Sequence, residues 1–364
     1  MGFKCGIIGL PNVGKSTIFN ALTAACAEVA NYPFCTIEPN IGMVPVPDPR
    51  LAAIAELIHP QKVTPTAVEF VDIAGLVKGA SQGEGLGNKF LGHIREVDAV
   101  VHIVRCFENT DVVHVDGTVD PLRDMDVVQM ELILADLETI EKRIEKAEKL
   151  AKVGDKDARK SLDLYKQIRE GLGKGFPAST IPKHEDFDVF LQDLQLLTAK
   201  KMLIVANISE AILKGDGELI QRLERKAITE GNRVIAICGD LEAEIAELPP
   251  EERTEFLKDM GLQESGLEKL IHAGYNLLDL ITFYTTVGPE LRAWTIPQGT
   301  KAPQAAGKIH TDMERGFIRA EIVHYDDFIQ LGGMHGAKDS GRVHAEGKDY
   351  IIQDGDISLF RFNV

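Results

Sequence analysis

The stretch Gly9-Leu10-Pro11-Asn12-Val13-Gly14-Lys15-Ser16 fits G-x-x-x-x-G-K-[ST], and it narrows the possible folds more than any other feature of the chain. Such a loop needs a buried strand before it and a helix after it. The apolar run Phe3 to Ile8 supplies the strand, and Thr17 to Ala25 supplies the helix. The pattern sets Asn12, Val13, Gly14, Lys15, Ser16 and Thr17 around a polyphosphate. Backbone N–H groups cradle it, Lys15 reaches the β and γ phosphates, the Ser16 hydroxyl ligates Mg²⁺, and the positive end of the helix faces the charge. An α/β domain that binds phosphate is therefore expected.

At 364 residues and 44% hydrophobic content the chain can bury a large core and divide into two or three domains. Its five cysteines (Cys5, Cys26, Cys35, Cys106 and Cys238) are scattered and form no C-x-x-C pair, which argues against a disulfide framework or a zinc site. The chain enters the phosphate loop almost at once, and no apolar run approaches the ~20 residues that span a bilayer. A cytoplasmic protein with no membrane partner is the expectation. A formal charge of −16 opposes general attraction to nucleic acid, so any such contact needs a local basic patch.

Downstream, a Pro-punctuated loop carries Thr36, a hydroxyl able to close on Mg²⁺ and the γ phosphate. The strand Ala67 to Val71 then delivers Asp72-Ile73-Ala74-Gly75. In this D-x-x-G, Asp72 belongs to the Mg²⁺ shell and the Gly75 N–H senses the γ phosphate. The segment from Leu76 to Gly87 contains four glycines and reads as a switch loop. Ras-like GTPases place a water-orienting Gln directly after D-x-x-G; here that position is Leu76, so hydrolysis needs another group. His114 follows the next apolar strand, Ala99 to Val104, and on its own reads more simply as a structural histidine.

From Asp126 the pattern becomes heptad-like, with Ile133, Leu137, Ile140, Ile144, Ala147 and Ala151 on one seam. A turn at Val153-Gly154-Asp155 leads to a second seam through Ala158, Leu162, Tyr165, Ile168 or Arg169, and Leu172. An antiparallel helical hairpin is expected. Between residues 142 and 160 there are eight Lys or Arg and four acids, a local excess of +4. Such a tip suits RNA phosphates, and it equally suits a solvated end.

The apolar strand Lys201 to Ala206 ends in Asn207-Ile208-Ser209-Glu210, where GTPases carry N-K-x-D. Glu210 is one methylene too long for the guanine-reading Asp, and Ile208 offers only an apolar wall. ATP over GTP follows, with Asn207 and backbone carbonyls as groups for adenine and Cys238 in the loop beside the base. From residue 282 on, alternating β-branched and aromatic stretches signal strands, with a helix over 301–310.

Together the motifs GLPNVGKS, NYPFCTIEPN, DIAGLVKGASQGEGLGN and NISE and the C-terminal segment resemble the YchF family of Obg-like ATPases over essentially the full length. The resemblance implies a Ras-like P-loop NTPase domain (1–120 and 176–281), a coiled-coil helical insertion (121–175) and a C-terminal β-grasp TGS domain (282–364). It implies slow ATP hydrolysis with Mg²⁺, weaker use of GTP, and action on the ribosome, either its large subunit or the whole particle. RNA contact through the hairpin tip and the TGS domain belongs to that implication. Nine Lys or Arg against eleven acids from residue 281 on leave protein docking equally open for the last domain. The family's apolar residue after D-x-x-G matches Leu76 and promotes His114 to catalytic candidate, alongside Lys15 and Gly75. The G-x-P-N form of the loop gives Asn12 a choice between ligating K⁺ and merely forming a turn. The alternative is a nucleotide-dependent RNA-binding or adaptor protein with negligible hydrolysis.

Overall fold

A computed structural model describes residues 3–27, 40–73, 86–109, 112, 114–115, 117–181, 194–213 and 217–363. The chain divides into two compact units, residues 1–30, 35–43 and 69–270 forming one, and residues 31–34, 44–68 and 271–364 the other.

The first unit is built on a six-stranded sheet. Its strands are β1 (Lys4–Ile8), β2 (Ile41–Pro45), β4 (Ala67–Asp72), β5 (Ala99–Arg105), β6 (Lys201–Asn207) and β7 (Arg233–Ile237), in the order β2-β4-β1-β5-β6-β7. The pairs β1–β4, β1–β5, β5–β6 and β6–β7 are parallel. Parallel strands need crossovers, whose helices cover both faces; this is why β5, Ala-Val-Val-His-Ile-Val-Arg, is buried at every residue. The helix α1 (Lys15–Ala27) follows β1 after a tight loop, and α3 (Leu86–Glu96) precedes β5.

Burying a histidine mid-strand carries a pH cost. His102 is fully enclosed on β5, and desolvation pulls its pKa from 6.5 down to about 4. Between those values the unfolded chain takes up a proton that the folded one refuses, so stability falls as the pH drops below 6.5. From pH 7.5 to 5 this group should cost about 2 kcal/mol. Urea unfolding of wild type and His102→Leu at both pH values checks it: the wild type should lose more stability, by that amount.

The hairpin is present as α4 (Pro121–Lys152) and α5 (Lys156–Gly173), α4 being roughly 48 Å long at 1.5 Å per residue. Asp120 caps α4 by accepting the Arg123 N–H at 3.2 Å, and Asp155 caps α5 by accepting those of Asp157 and Ala158 at 2.9 and 3.1 Å. Ile133, Ile140, Ile144, Ile168 and Leu172 form the buried seam together with Ala178, Ile181, Leu194 and Leu196. The second arm therefore turns Ile168 inward, not Arg169, which is exposed. At the base, buried Asp136 accepts from the Leu197 and Thr198 N–H groups, both at 2.8 Å, and from the Thr198 hydroxyl at 2.7 Å. Burial pushes its carboxyl up, and these three donors pull it back.

The second unit holds the other six-stranded sheet. Its strands are β3 (Lys62–Thr64), β8 (Leu280–Thr285), β9 (Glu290–Pro297), β10 (Phe317–Val323), β11 (His344–Glu346) and β12 (Ile357–Phe362), ordered β11-β10-β12-β8-β9-β3. A helix over Ala302–Ile309 lies in one apolar cluster with Phe283, Ile296 and Phe360. The resemblance places residues 1–120 in one domain, whereas residues 44–68 group with this unit. The helix α2 (Pro49–Ile58) buries Leu51 and Ile54 against Tyr284, Leu291 and Phe328, and β3 pairs in parallel with β9. Arg50 reinforces this with a 2.7 Å bond to Asp354. Among the described residues, no helix is long and apolar enough to cross a membrane.

Candidate nucleotide site

Four strand ends of the first sheet converge on the loop between β1 and α1. That loop is held open by backbone geometry: Asn12 lies at φ 63° and Gly14 at φ 88°. At Gly14 a side chain would meet both strain and Asn207, whose Nδ2 lies 2.1 Å from the position of a Cβ. Gly9 is equally constrained, with the Ile103 carbonyl oxygen 2.7 Å from where a Cβ would sit. Only glycine fits at either end.

Lys15 and Ser16 open α1, with Ser16 exposed and Lys15 partly covered. The Lys15 ammonium touches the Asp72 carboxylate at the end of β4, side chains 12% and 14% exposed. The fold thus brings two opposite charges, distant in the chain, into contact beside the loop. Val13 is buried beneath the loop and Thr17 is half-buried in the first turn of the helix. Thr36, Gly75 and Leu76 lie outside the described residues.

The base-side residues divide. Asn207 is buried and braces two backbone segments: its Nδ2 donates to the Val13 carbonyl at 2.9 Å, and its Oδ1 accepts the Gly239 N–H at 3.0 Å. A side chain committed in this way holds the phosphate loop rather than reading adenine. Ile208, expected as a wall of the base pocket, is 2% exposed inside a core cluster with Ile204, Leu223 and Leu241. Cys238 sits at the N-cap position of the helix Gly239–Glu247 without a side-chain cap bond, and its burial pushes its thiol pKa up. Glu210, in contrast, is exposed at the start of the short helix Glu210–Leu213.

His114 is turned into the protein. It is 5% exposed, and its Nε2 lies 2.8 Å from Asp124 Oδ2 in the first turn of α4. The other oxygen of Asp124 accepts from Arg123 at 3.0 and 3.2 Å. Sequence reasoning passed over Asp124, and it passed over Arg105 at the end of β5. The signal for Arg105 was there: a cation closing a strand that is apolar but for His102 and ends beside the phosphate loop.

Over its whole length the chain is 54% identical, across 364 residues covering 100% of both chains, to the "Ribosome-binding ATPase YchF" of Haemophilus ducreyi. The chain belongs to the YchF family. The YchF relative from Bacillus subtilis, also named a ribosome-binding ATPase, is 52% identical over 366 residues and 100% of each chain. A family model described as "50S ribosome-binding GTPase" matches residues 4–135, the part carrying Lys15, Asp72 and His114. The model YchF-GTPase_C, described as "Protein of unknown function (DUF933)", matches residues 280–363. The solved structure of the Schizosaccharomyces pombe YchF GTPase superposes with a TM-score of 0.90 at 36% identity, covering 99% of this chain and 98% of that one. A GTP-binding protein from Pyrococcus horikoshii shares the fold at a TM-score of 0.60 and 22% identity. The mixed α/β architecture described above is thus that of a YchF protein from end to end.

Proposed function

We propose that this YchF-family chain is a slow ATPase that binds ATP in preference to GTP and acts on the ribosome as a nucleotide-driven switch. The observation that carries the reading is the convergence of Lys15, Ser16 and Asp72 on a loop braced by Asn207, in a chain that matches ribosome-binding ATPases over its full length. Single-turnover phosphate release with and without ribosomes tests the activity, and co-sedimentation with ribosomal particles in ADP and in a non-hydrolysable ATP analogue tests the switch. Indifference to ribosomes in both experiments would remove the ribosomal half of the proposal.

Mg²⁺ fits the donor set. The Ser16 hydroxyl and Asp72 carboxylate are hard oxygen donors, and among the described residues no three His, Cys, Asp or Glu side chains form a metal cage. Sparse protein ligation suits an ion that keeps water and phosphate oxygens in its shell. When bound, the ion supplies charge that offsets the phosphates, and Thr36 is its further candidate ligand. Asn12 is exposed beside the loop and is the candidate for a K⁺ ligand. Faster turnover in K⁺ than in Na⁺ is expected, and equal turnover returns Asn12 to a turn former.

Base preference rests on Glu210, since Ile208 is committed to the core. Glu210→Asp should move the ATP to GTP affinity ratio toward GTP by about tenfold, the worth of one to two hydrogen bonds. Titration of both nucleotides checks this, and an unchanged ratio removes Glu210 from base reading. The adaptor reading with negligible hydrolysis draws on one observation, the burial of His114 against Asp124. Ribosome-stimulated phosphate release separates it from the switch.

RNA contact is proposed for the far end of the hairpin, where Lys146, Lys149, Lys152 and Lys156 are exposed. The C-terminal unit is proposed as the TGS domain, and the compartment as the cytoplasm.

A further inference from the structure

The cation that ends β5 is completely buried. Arg105 is 1% exposed, and its guanidinium donates to four backbone carbonyl oxygens. Nε donates to Phe107 at 3.1 Å, Nη1 to Val112 at 3.0 Å and Asn12 at 3.4 Å, and Nη2 to Asn109 at 3.2 Å. The guanidinium carbon also stands 4.7 Å from the centre of the Phe107 ring. Removing a cation from water is costly, and a rigid fork of donors can recover that cost only by fixing several acceptors at once. Here the acceptors belong to two separate loops. Asn12 is in the phosphate loop, and Phe107, Asn109 and Val112 lie on the path from β5 to His114.

The Asn12 bond matters through peptide planarity. The Asn12 carbonyl and the Val13 N–H belong to one rigid plane, so a donor that holds the oxygen also aims the N–H. The Val13 carbonyl, held by Asn207, shares the next plane with the Gly14 N–H. Arg105 and Asn207 are register partners on β5 and β6, so adjacent residues brace consecutive planes of the cradle from behind. Any shift of the Val13 N–H toward a phosphate is therefore felt at Arg105. Arg105 in turn holds the near end of the segment whose far end is the His114–Asp124 contact.

We propose that Arg105 is a positioning residue for hydrolysis, tying the phosphate loop to the segment that carries His114 so that a bound nucleotide sets where that segment is anchored. The proposal rests on the reading of His114 as the group that orients the attacking water. Lysine at 105 keeps the charge but loses the planar fork that holds Phe107 and Asn109 together with the Nη1 acceptors, and methionine keeps the bulk without any donor.

Two measurements test it. In the wild type, ADP should slow amide hydrogen exchange at residues 106–109, and no change there overturns the proposal without any variant. In Arg105→Lys and Arg105→Met, ATP affinity should stay within about threefold, because Asn207 still braces the loop through the Val13 carbonyl. Single-turnover hydrolysis should fall about tenfold or more. Arg105→Lys hydrolysing at the wild-type rate overturns the proposal. Added to His114→Ala, Arg105→Met should slow the reaction less than about twofold further, since the two act through one group; a further tenfold loss overturns it. His114→Ala at the wild-type rate would instead dismiss the underlying reading of His114, while the exchange experiment still tests the tie between the loops.

Discussion

Lys15→Met is expected to weaken ATP binding by roughly 30- to 1000-fold, about 2–4 kcal/mol. Two effects add. The ammonium loses its charge-assisted bonds to the phosphates, each such bond to a charged partner being worth roughly 1.5–3 kcal/mol. The same substitution strips Asp72 of the cation that it touches, leaving a carboxylate with its side chain 14% exposed facing the incoming phosphates. Lys15→Met with Asp72→Asn should therefore recover part of the loss, which a simple loss of Lys15 bonds does not predict. Titration with a fluorescent ATP analogue gives both numbers, and thermal unfolding confirms that each variant is folded. A Lys15→Met affinity within threefold of wild type would remove Lys15 from the phosphate site.

Local chemistry was legible in the sequence wherever one segment carries its own constraint. The phosphate loop is such a segment, because Gly14 at φ 88° and Gly9 against the Ile103 carbonyl require glycine at both ends. The heptad seam is another: Ile140, Ile144, Ile168 and Leu172 repeat at a spacing that only a helix brings to one face. What stayed hidden depends on partners remote in the chain. The short strand Lys62–Thr64 carries almost no pattern of its own, and it becomes part of a sheet only by pairing with Glu290–Arg292. Leu51 and Ile54 lie one turn apart on α2, and nothing nearby in the sequence says that Tyr284 and Phe328 cover them. The same limit explains Asn207 and Ile208. A motif at a strand end says that the residues lie near the base, but the direction of each side chain is decided by its neighbours in β5 and β7 and by the helix after Cys238. The structure turns Asn207 toward the phosphate loop and Ile208 into the core.

His114→Ala should leave ATP affinity nearly unchanged and lower turnover by roughly 10- to 100-fold, below the fuller range for a general base because positioning is partial. An in-line water needs a polar group to orient it, and Leu76 has none. His114 has the right chemistry, a ring nitrogen able to hydrogen-bond that water. In this structure, however, its Nε2 is engaged with Asp124 at 2.8 Å and its side chain is 3% exposed. On this reading, orienting that water would require breaking the Asp124 contact, so a rarely populated competent state and slow turnover are expected of the isolated protein. A partner that favours the open loop would raise the rate without touching the nucleotide. The counterpart is Asp124→Asn, which weakens the grip on the histidine: it should raise the rate of the isolated protein and narrow the gap to the ribosome-stimulated rate. Phosphate release from wild type, His114→Ala and Asp124→Asn, each with and without ribosomes, decides the matter. An alanine variant as fast as wild type under both conditions would leave His114 with a purely structural role, as the partner that Asp124 at the head of α4 is buried to hold.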